Sequence, residues 1–556
     1  MAILKPFNWV QDYSKNKLKG DFFAGLTVGA LLIPQSMAYA LIAGLPVIYG
    51  LYASIVPQVI YAFFGSSNRL SVGPTAMDSL LIGSGLVLLA SIGSKEYIEL
   101  AIILSLLVGI IQALLGFMKM GFITQLLSRP IISGFTSAAA ILIGLNQLGP
   151  LLGIQIDKGN LPVLLNSVFN NIIYTDLLTA LIGLISIVSL FAFKKWIPKI
   201  PGNLIIVLCS ILLVQCFELH ILNLKVVGEI SKGLPSFNIP NLNWNKISSL
   251  LPLASTLAVI SFIESFSISK KIDTKSRDYK LNANTELVAL GSANFMGSFF
   301  MSFPVTGGFG RSAVNYTAGA QTPFSGFISA SLIATTLLFF TDIFELLPYT
   351  VLAAIILVAL AGLVDFKYPY KLWKANSIDF FMLILTFLIT LLFGMISGVF
   401  SGMLLYVLLL TYKLFFPQVH HQTFAKTKGK LSTNNMSIAS PHQSLYIFKI
   451  DTPVFTFNSK SIKKQIIQKI IIPNSNRQTL LIDLSTIQHI DGRGLKGIKL
   501  LISELYEKNI RILWLKLHPK IHTIFTYKKL INGPLEDNVF KNVTAAMEFL
   551  KKEDDK

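Results

Sequence analysis

The sequence predicts a polytopic α-helical membrane protein that carries a small soluble α/β domain at its carboxyl end. Of its 556 residues 53% are hydrophobic and 13% are charged, which is about half the charged fraction of an ordinary soluble protein. Apolar blocks of about 20 residues, each long enough to span a bilayer core, follow one another over residues 22–417. After them, strand and helix patterns alternate from Leu445 onward.

Fourteen membrane spans are predicted, in two sets of seven. The first set covers residues 22–42, 46–64, 74–91, 97–117, 122–145, 173–193 and 203–219. The second set covers residues 251–270, 285–301, 309–320, 321–341, 346–364, 377–394 and 396–416. The spans near 74 and 309 begin at Gly/Pro-rich breaks, and interrupted helices at matching places in two halves are typical of transporter binding sites. We therefore expect a 7+7 inverted repeat in which spans one and eight, and three and ten, correspond.

The basic residues predict how the chain is oriented. The formal net charge is +19, and the lysines and arginines cluster in short loops. These loops lie at residues 15–19, 194–199, 270–280 and 367–374. By the positive-inside rule they are cytoplasmic, as are both ends of a chain with an even number of spans. We expect a multi-pass protein of the cell (inner or plasma) membrane. A basic groove with interleaved aromatic residues is absent from the sequence, so nucleic acid is not an expected partner.

Four regions follow from this pattern. They are a cytoplasmic amino-terminal segment (1–21), a transmembrane domain (22–417), a polar linker (418–444) and the α/β domain (445–556). In the last region, "LYIFKI", "TLLIDLS" and "IRILWLKL" read as strands, and "SKSIKKQIIQKI" and "GLKGIKLLISELYEK" read as helices.

One cation stands in the second glycine-rich break, "SFPVTGGFGRSAVNYTAGA" (302–320). A charge at the membrane midplane is retained mainly where it pairs or faces water, so Arg311 is a candidate anion ligand. Gly308 and Gly310 allow the backbone to approach a ligand, and the helix that follows offers its positive amino end. Ser312 is a candidate hydroxyl donor there. The alternative is a structural Arg311 that pairs with a carboxylate such as Asp78.

The first break, "GPTA" (73–76), offers the matching features in the other half. Pro74 suits a first helical position, and Gly73, Thr75 and Ala76 are candidate substrate-binding residues. Asp78 follows within the first turn, where it either tunes the pocket or is only structural. In the first span, Gln35 follows Pro34, and its amide can donate to an anion without adding charge.

Glu264 lies in the middle of the eighth span, in "TLAVISFIESFSIS". A buried carboxylate without a partner favours its protonated form, so it can take up a proton on one side of the membrane and release it on the other. Two alternatives are open: the group ligates Na⁺ with hydroxyl and carbonyl oxygens, or it is paired with Arg311 or hydrogen-bonded in the core.

Several stretches, in order along nearly the whole chain, resemble the SulP (sulfate permease) family of anion transporters, which end in a STAS domain. They are "PQSMAYALIAGLPVIYGLYASIVP", "GSSNRLSVGPTA", "NTELVALGSANFMGSFFMSFPVTGGFGRSAVN" and "IDLSTIQHIDGRG". The resemblance implies a core domain that moves against a gate domain, a homodimer, and uptake or exchange of small anions. It also implies that Arg311 contacts the anion, that Glu264 couples a proton, and that Gln35 lies at the substrate pocket.

Two positions depart from the family pattern. Gly310 stands where a serine precedes the arginine in plant-like members, which removes one hydroxyl donor. In the STAS loop, Gly492 occupies the position of the serine that signalling relatives phosphorylate, so no phosphorylation can occur there, and Arg493 comes next.

The expected function is secondary active anion transport, with sulfate as the substrate and a proton as the co-transported ion. The alternatives are sodium-coupled transport, a bicarbonate or dicarboxylate (succinate or fumarate) substrate, anion exchange, a passive channel, and a signalling scaffold that acts through the STAS domain. No hydrolytic, redox, metal-ligating or Walker-type pattern occurs in the sequence, so we expect neither enzymatic activity nor a bound cofactor or metal.

Overall fold

A computed structural model gives the structure of the chain. It describes residues 13–125, 128–157, 159–196, 201–222, 224–273, 281–362, 364–416, 419–422, 425–427, 430–432, 439–440, 443–450, 453–470, 478–485, 487, 490–515, 517–527, 539–540, 542–543, 545–546 and 548–549. Parts of the predicted amino-terminal segment, of two basic loops and of the linker lie outside these residues. By its internal contacts the chain divides into two units, Met1–Tyr406 and Val407–Lys556.

The first unit is helical. Its first half contains α1 (Lys15–Ile42), α2 (Val47–Tyr52), α3 (Val56–Phe64), β1 (Val72–Gly73), α4 (Ala76–Leu86), α5 (Lys95–Phe117), α6 (Arg129–Leu152), α7 (Leu161–Asn171), α8 (Leu177–Trp196) and α9 (Gly202–Cys216). Its second half contains α10 (Trp244–Asp273), α11 (Ala283–Ser298), β2 (Thr306–Gly307), α12 (Phe309–Thr317), α13 (Phe324–Phe339), α14 (Tyr349–Leu360), α15 (Lys367–Ala375), α16 (Ser377–Phe393) and α17 (Met395–Phe415), whose end belongs to the second unit.

Every predicted span contains a helix, although some boundaries were wrong. α1 begins at Lys15, before the predicted residue 22, and Ser14 caps it. α6 begins at Arg129, after the predicted residue 122, because Pro130 occupies its first turn. The short helices α7 and α15 were not predicted as elements.

Several of these helices have the length and composition of membrane spans. Among the described residues, 7 helices are long and apolar enough to cross a bilayer, and shorter apolar helices accompany them. The two breaks shorten α4 and α12 to 11 and 9 residues, as expected for half-helices.

The second unit is built on a sheet with strand order β10-β9-β8-β7-β3. Its further elements are β3 (Val419–Gln422), β4 (Ala425–Thr427), β5 (Lys430–Ser432), β6 (Ala439–Ser440), β7 (Gln443–Ile450), α18 (Ser459–Lys469), β8 (Gln478–Asp483), α19 (Gly492–Glu507), β9 (Ile510–Leu515), α20 (Pro519–Tyr527) and β10 (Val539–Phe540). The strands β7, β8, β9 and β10 are parallel, with Tyr446 opposite Leu480 and Leu480 opposite Ile512. The strands and helices predicted from Leu445 onward are therefore confirmed.

The polar linker (418–444) was predicted to have little order, and this was wrong for its described residues, which lie in β3, β4, β5, β6 and the start of β7. Val419–Gln422 form β3, which pairs antiparallel with β7 so that Val419 lies opposite Ile450. An edge strand tolerates polar residues because one of its sides faces no further strand, which is why composition alone suggested a linker.

Candidate functional site

Two short strands join the breaks that precede α4 and α12. β1 pairs antiparallel with β2, with Val72 opposite Gly307 and Gly73 opposite Thr306. Because antiparallel strands run in opposite directions, the helices that follow them leave the pair on opposite sides. The amino ends of both helices therefore point toward one location, where each contributes a partial positive charge.

The two helix starts differ in their capping. Thr75 caps α4, and its hydroxyl accepts a hydrogen bond from the backbone N–H of Asp78 at 3.4 Å. Gly308 is the cap residue of α12 and provides no side-chain hydrogen bond. The first N–H groups of α12 therefore have no intrahelical partner and no capping side chain, which suits an anionic ligand.

Arg311 connects the two halves. Its side chain is buried, with the residue 3% exposed, and Nη1 donates to the carbonyl oxygen of Pro74 at 2.7 Å. Nε and Nη2 are buried and have no hydrogen-bond partner among the described residues. A guanidinium with free donors, held at two helix amino ends, has the geometry to bind an oxyanion.

Gly308 makes room for this guanidinium. A Cβ atom at Gly308 would lie 2.6 Å from Cζ of Arg311, and one at Gly73 would lie 3.4 Å from Nη2. A Cβ atom at Gly310 would meet nothing within 4 Å. The missing serine side chain at Gly310 therefore leaves open space beside the arginine.

The predicted hydroxyl and backbone ligands lie at the same location. Ser312 is fully buried, and its Oγ accepts from the backbone N–H of Ser71 at 3.0 Å, so it also holds the segment before β1. Thr75 and Ala76 are buried at the start of α4, with 6% and 8% exposure. Their contact with a substrate stays a prediction.

On α1, Gln35 is half-buried in the turn after Pro34, and its side-chain amide makes no hydrogen bond to the described residues. Tyr39, one turn further on, is 7% exposed and interacts electrostatically with Arg311 and Glu264. Sequence reasoning missed Tyr39. The signal was present in "PQSMAY", because residues four apart share a helix face.

Two carboxylates accompany the arginine without bonding to it. Asp78 is 1% exposed, and neither of its buried carboxylate oxygens has a hydrogen-bond partner in the part of the chain that the structure describes. On α10, the same holds for the buried Oε2 of Glu264 in that part of the chain. The structural pair between Arg311 and Asp78, considered above as an alternative, is therefore not formed.

Hydrogen bonds to α10 hold the second break in place. Ser265 Oγ accepts from the backbone N–H of Gly307 at 2.8 Å, and Thr306 Oγ1 donates to the carbonyl oxygen of Ser261 at 2.8 Å. These bonds attach β2 to the helix that carries Glu264. The carboxylate and the start of α12 are consequently positioned by the same contacts.

A buried amide network supports the approach to β2, and sequence reasoning missed it. Asn294 is fully buried, and its amide both accepts from Val305 N–H at 2.8 Å and donates to Val305 O at 3.1 Å. It also donates to Gln112 Oε1 at 3.1 Å, and Gln112 in turn donates to Ser261 Oγ at 2.8 Å. Amides within the apolar α5 and α11 were the available signal.

In the second unit, the loop before α19 is held by Asp491. Its carboxylate accepts from Gly494 N–H at 2.5 Å and from the Thr456 hydroxyl at 2.9 Å. Gly492 and Arg493 are exposed at the start of the helix. The loop conformation thus depends on Asp491. At Gly492, where signalling relatives have a serine, this chain offers no hydroxyl for phosphorylation.

Comparison with known protein families gives two matches. The model of the sulfate permease family matches residues 18–386, and the model of the STAS domain matches residues 438–546. The chain is 32% identical over 547 residues to "Sulfate transporter 4.1, chloroplastic" of Arabidopsis thaliana, which covers 91% of this chain and 76% of that protein. It is 31% identical over 482 residues to "Sodium-independent sulfate anion transporter" of Bos taurus, covering 80% and 77%.

Solved structures share the fold. The murine anion transporter Slc26a9 in its inward-facing state superposes with a TM-score of 0.83 at 23% identity, covering 99% of this chain and 94% of that one. The transmembrane domain of the cyanobacterial bicarbonate transporter BicA superposes with a TM-score of 0.61 at 22% identity, covering 71% and 98%. The predicted fold class, a helical membrane transporter with a STAS domain, is confirmed.

Proposed function

Since the chain belongs to the sulfate permease family and is a multi-pass membrane transporter of small anions rather than an enzyme, we propose that it carries sulfate together with protons. The observation that supports this most is the buried guanidinium of Arg311, with Nε and Nη2 unpartnered at the meeting point of two helix amino ends. Planar, fork-like N–H donors and backbone N–H groups match the oxygens of a tetrahedral oxyanion. The relatives named above are sulfate transporters.

The proposal assigns Arg311 as the main anion ligand. We expect R311A to reduce sulfate uptake into proteoliposomes to the level of protein-free vesicles, because a buried anion then lacks its countercharge. The matched control is R129A, since Arg129 stacks on Tyr368 at the start of α6, 4.5 Å from the ring centroid and away from the breaks. Full uptake by a correctly folded R311A protein would refute this assignment.

Glu264 is proposed to carry the proton. An inward proton gradient should stimulate sulfate uptake by the native protein, and E264Q should lose this stimulation because an amide of the same shape takes up no proton in this range. E99Q is the control, since Glu99 pairs with Lys246 at 2.7 Å near the start of α5. Initial rates at several external pH values measure the effect, and an E264Q protein with the native pH dependence would contradict it.

Alternating access is proposed to follow an elevator-like movement. Two groups of helices are distinguished by their packing. In the first, α5 packs on α10 and α11, and α1 packs on α13 and α4. In the second, α6 packs on α14 and α16, and α14 packs on α8. The groups meet where α1 contacts α14 and α4 contacts α6. A cavity of about 630 Å³ is lined by α1 and α4 from the first group and by α6 and α14 from the second. Such a space supports a core that slides against a gate.

The second candidate is bicarbonate transport, and a specific observation favours it. Gly310 lacks the serine hydroxyl that plant-like sulfate transporters have at this position, and a Cβ there would meet nothing within 4 Å. The bicarbonate transporter BicA shares the fold. Labelled sulfate, bicarbonate and succinate, each offered with an imposed proton or sodium gradient, distinguish the candidates. Sulfate uptake driven by protons supports the main proposal, and sodium-driven bicarbonate uptake overturns it.

The remaining proposals concern assembly and placement. We propose a homodimer in the cell membrane, as the resemblance to the sulfate permease family implies. We also propose that the amino terminus and the STAS domain lie in the cytoplasm, because the basic loops follow the positive-inside pattern. Transport needs the co-transported proton and no bound cofactor. Native mass spectrometry measures the oligomeric state, and protease protection of the STAS domain in intact cells measures the orientation.

A further inference from the structure

Asp78 is a buried acid whose carboxylate the proposed function leaves unused. It lies in the first turn of α4, where a carboxylate often caps the helix. Here the Thr75 hydroxyl already accepts the N–H of Asp78, and both carboxylate oxygens are buried with no hydrogen-bond partner within the described ranges. Helix capping therefore does not account for this side chain.

The elements packed against α4 place little countercharge next to Asp78. They are α1, α5, α6 and α10. Their charged or titratable residues are Lys15, Lys17, Lys19, Asp21 and Tyr39 on α1, Lys95, Glu96, Tyr97 and Glu99 on α5, Arg129 on α6, and Lys246, Glu264, Lys270, Lys271 and Asp273 on α10. Of these, Glu264 interacts electrostatically with Asp78.

Among the described residues, no donor bonds to the Asp78 carboxylate. The hydroxyl of Tyr97 donates to Ala43 O at 2.6 Å, and Nη1 of Arg311 donates to Pro74 O at 2.7 Å. Asp78 therefore has a buried carboxylate with a second carboxylate nearby and no bonded cation. A proton is the smallest ligand that removes such an uncompensated charge.

We propose that Asp78 is a second proton carrier, so that Asp78 and Glu264 each bind one proton when a divalent anion binds and release both when it leaves. On the side of entry, an O–H bond forms at each carboxylate with a proton from the solution. On the side of exit, both bonds break and the protons return to the solution, with no change in oxidation state. This inference rests on the proposed proton-coupled sulfate transport.

Charge balance explains why two proton-binding acids, Asp78 and Glu264, would be needed. Arg311 contributes one positive charge, and Asp78 and Glu264 contribute two negative charges. A sulfate ion bound together with two protons adds no net charge, so the loaded and the empty site cross the membrane with equal charge. With a single proton, the loaded site would carry one more negative charge and would be opposed by an inside-negative potential.

The test uses the full-length protein in proteoliposomes with a pH-sensitive dye in the lumen and valinomycin-set potentials. Sulfate and proton fluxes are measured together for the native protein, D78N and S79A. Ser79 is the matched control, because it is the next residue, is fully buried and has an unpartnered hydroxyl. Size-exclusion chromatography and thermal unfolding establish that each variant is folded.

For the native protein and S79A, we expect about two protons per sulfate and uptake that does not respond to the potential. For D78N, we expect about half that proton flux per sulfate and uptake that an inside-positive potential accelerates. If D78N transports as many protons per sulfate as the native protein, or if the native protein transports only about one, the role of Asp78 is overturned but the proposed function is not. Native sulfate uptake without proton flux overturns the proposed function as well. If D78N does not fold, the number of protons per sulfate of the native protein tests the proposal.

Discussion

The starts of α4 and α12 have the same backbone plan but opposite chemistry. Each helix follows a two-residue strand, and the two strands pair with each other. The start of α4 has a side-chain cap, Thr75, and a buried acid, Asp78. The start of α12 has neither, and instead carries the buried cation Arg311. The two halves thus supply two similar positive helix ends, and a few side chains give these ends different chemistry.

This difference explains why a cation and two acids coexist without forming ion pairs. The guanidinium of Arg311 reaches across to the carbonyl oxygen of Pro74, the residue before the Thr75 cap. That bond leaves Nε and Nη2 available, while Asp78 is left unbonded on the α4 side. In the proposals above, α12 supplies the charged ligand of the anion, both helix amino ends face that anion, and α4 and α10 supply the proton-binding acids.

Apart from the loss of Arg311 itself, the largest expected effect comes from filling the space that α12 reserves for the guanidinium. In G308A the new Cβ would lie 2.6 Å from Cζ of Arg311, and overpacking of this kind costs about 1–3 kcal/mol. We expect sulfate uptake at limiting concentration to fall about tenfold or more, since about 1.4 kcal/mol corresponds to a factor of ten.

The matched control for G308A is G310A. It adds the same methyl group two residues further on, where a Cβ meets nothing within 4 Å. Equal uptake by G308A and G310A would show that the space around Arg311 is not needed. Concentration-dependent uptake separates a loss of affinity from a loss of rate.

A smaller effect is expected on the α4 side when its cap is removed. T75A deletes the hydroxyl that accepts from Asp78 N–H, and loss of such a cap costs about 1 kcal/mol. We expect a lower unfolding temperature and a reduction of sulfate uptake of about fivefold. The control is T317A at the end of α12, where the hydroxyl bonds to Ala313 O within its own helix. A T75A protein as stable as T317A would contradict the role of the cap.

The smallest effect is expected when α12 receives a hydroxyl like that of α4. G310S adds a donor at an exposed position next to Arg311 in the chain, where a hydrogen bond that replaces one to water contributes about 0.5–1.5 kcal/mol. We expect sulfate affinity to rise by about two- to tenfold. Equilibrium binding of labelled sulfate to purified G310S and native protein measures this. An unchanged or weaker affinity in G310S would show that the position does not face the anion.

Much of the transport unit could be predicted because its signals are local. Blocks of apolar residues indicated each span, and glycine-rich breaks indicated where α4 and α12 begin. One boundary that was wrong has a local cause, because Pro130 delays the start of α6. The other does not, because the polar residues of β3 become a strand by pairing with β7, which lies further along the chain.

By itself the sequence determined which chemical groups are present in the membrane: an arginine, two acids and two glycine-rich breaks within otherwise apolar spans. Only the tertiary structure decided how they combine, because their relations depend on contacts between residues far apart in the chain. Arg311 bonds to Pro74 across 237 positions, and the Asn294 network joins α5, α10 and α11. A local pattern shows that a polar group will be buried and that its burial costs free energy. Which residue bonds to that group depends on how distant segments pack together.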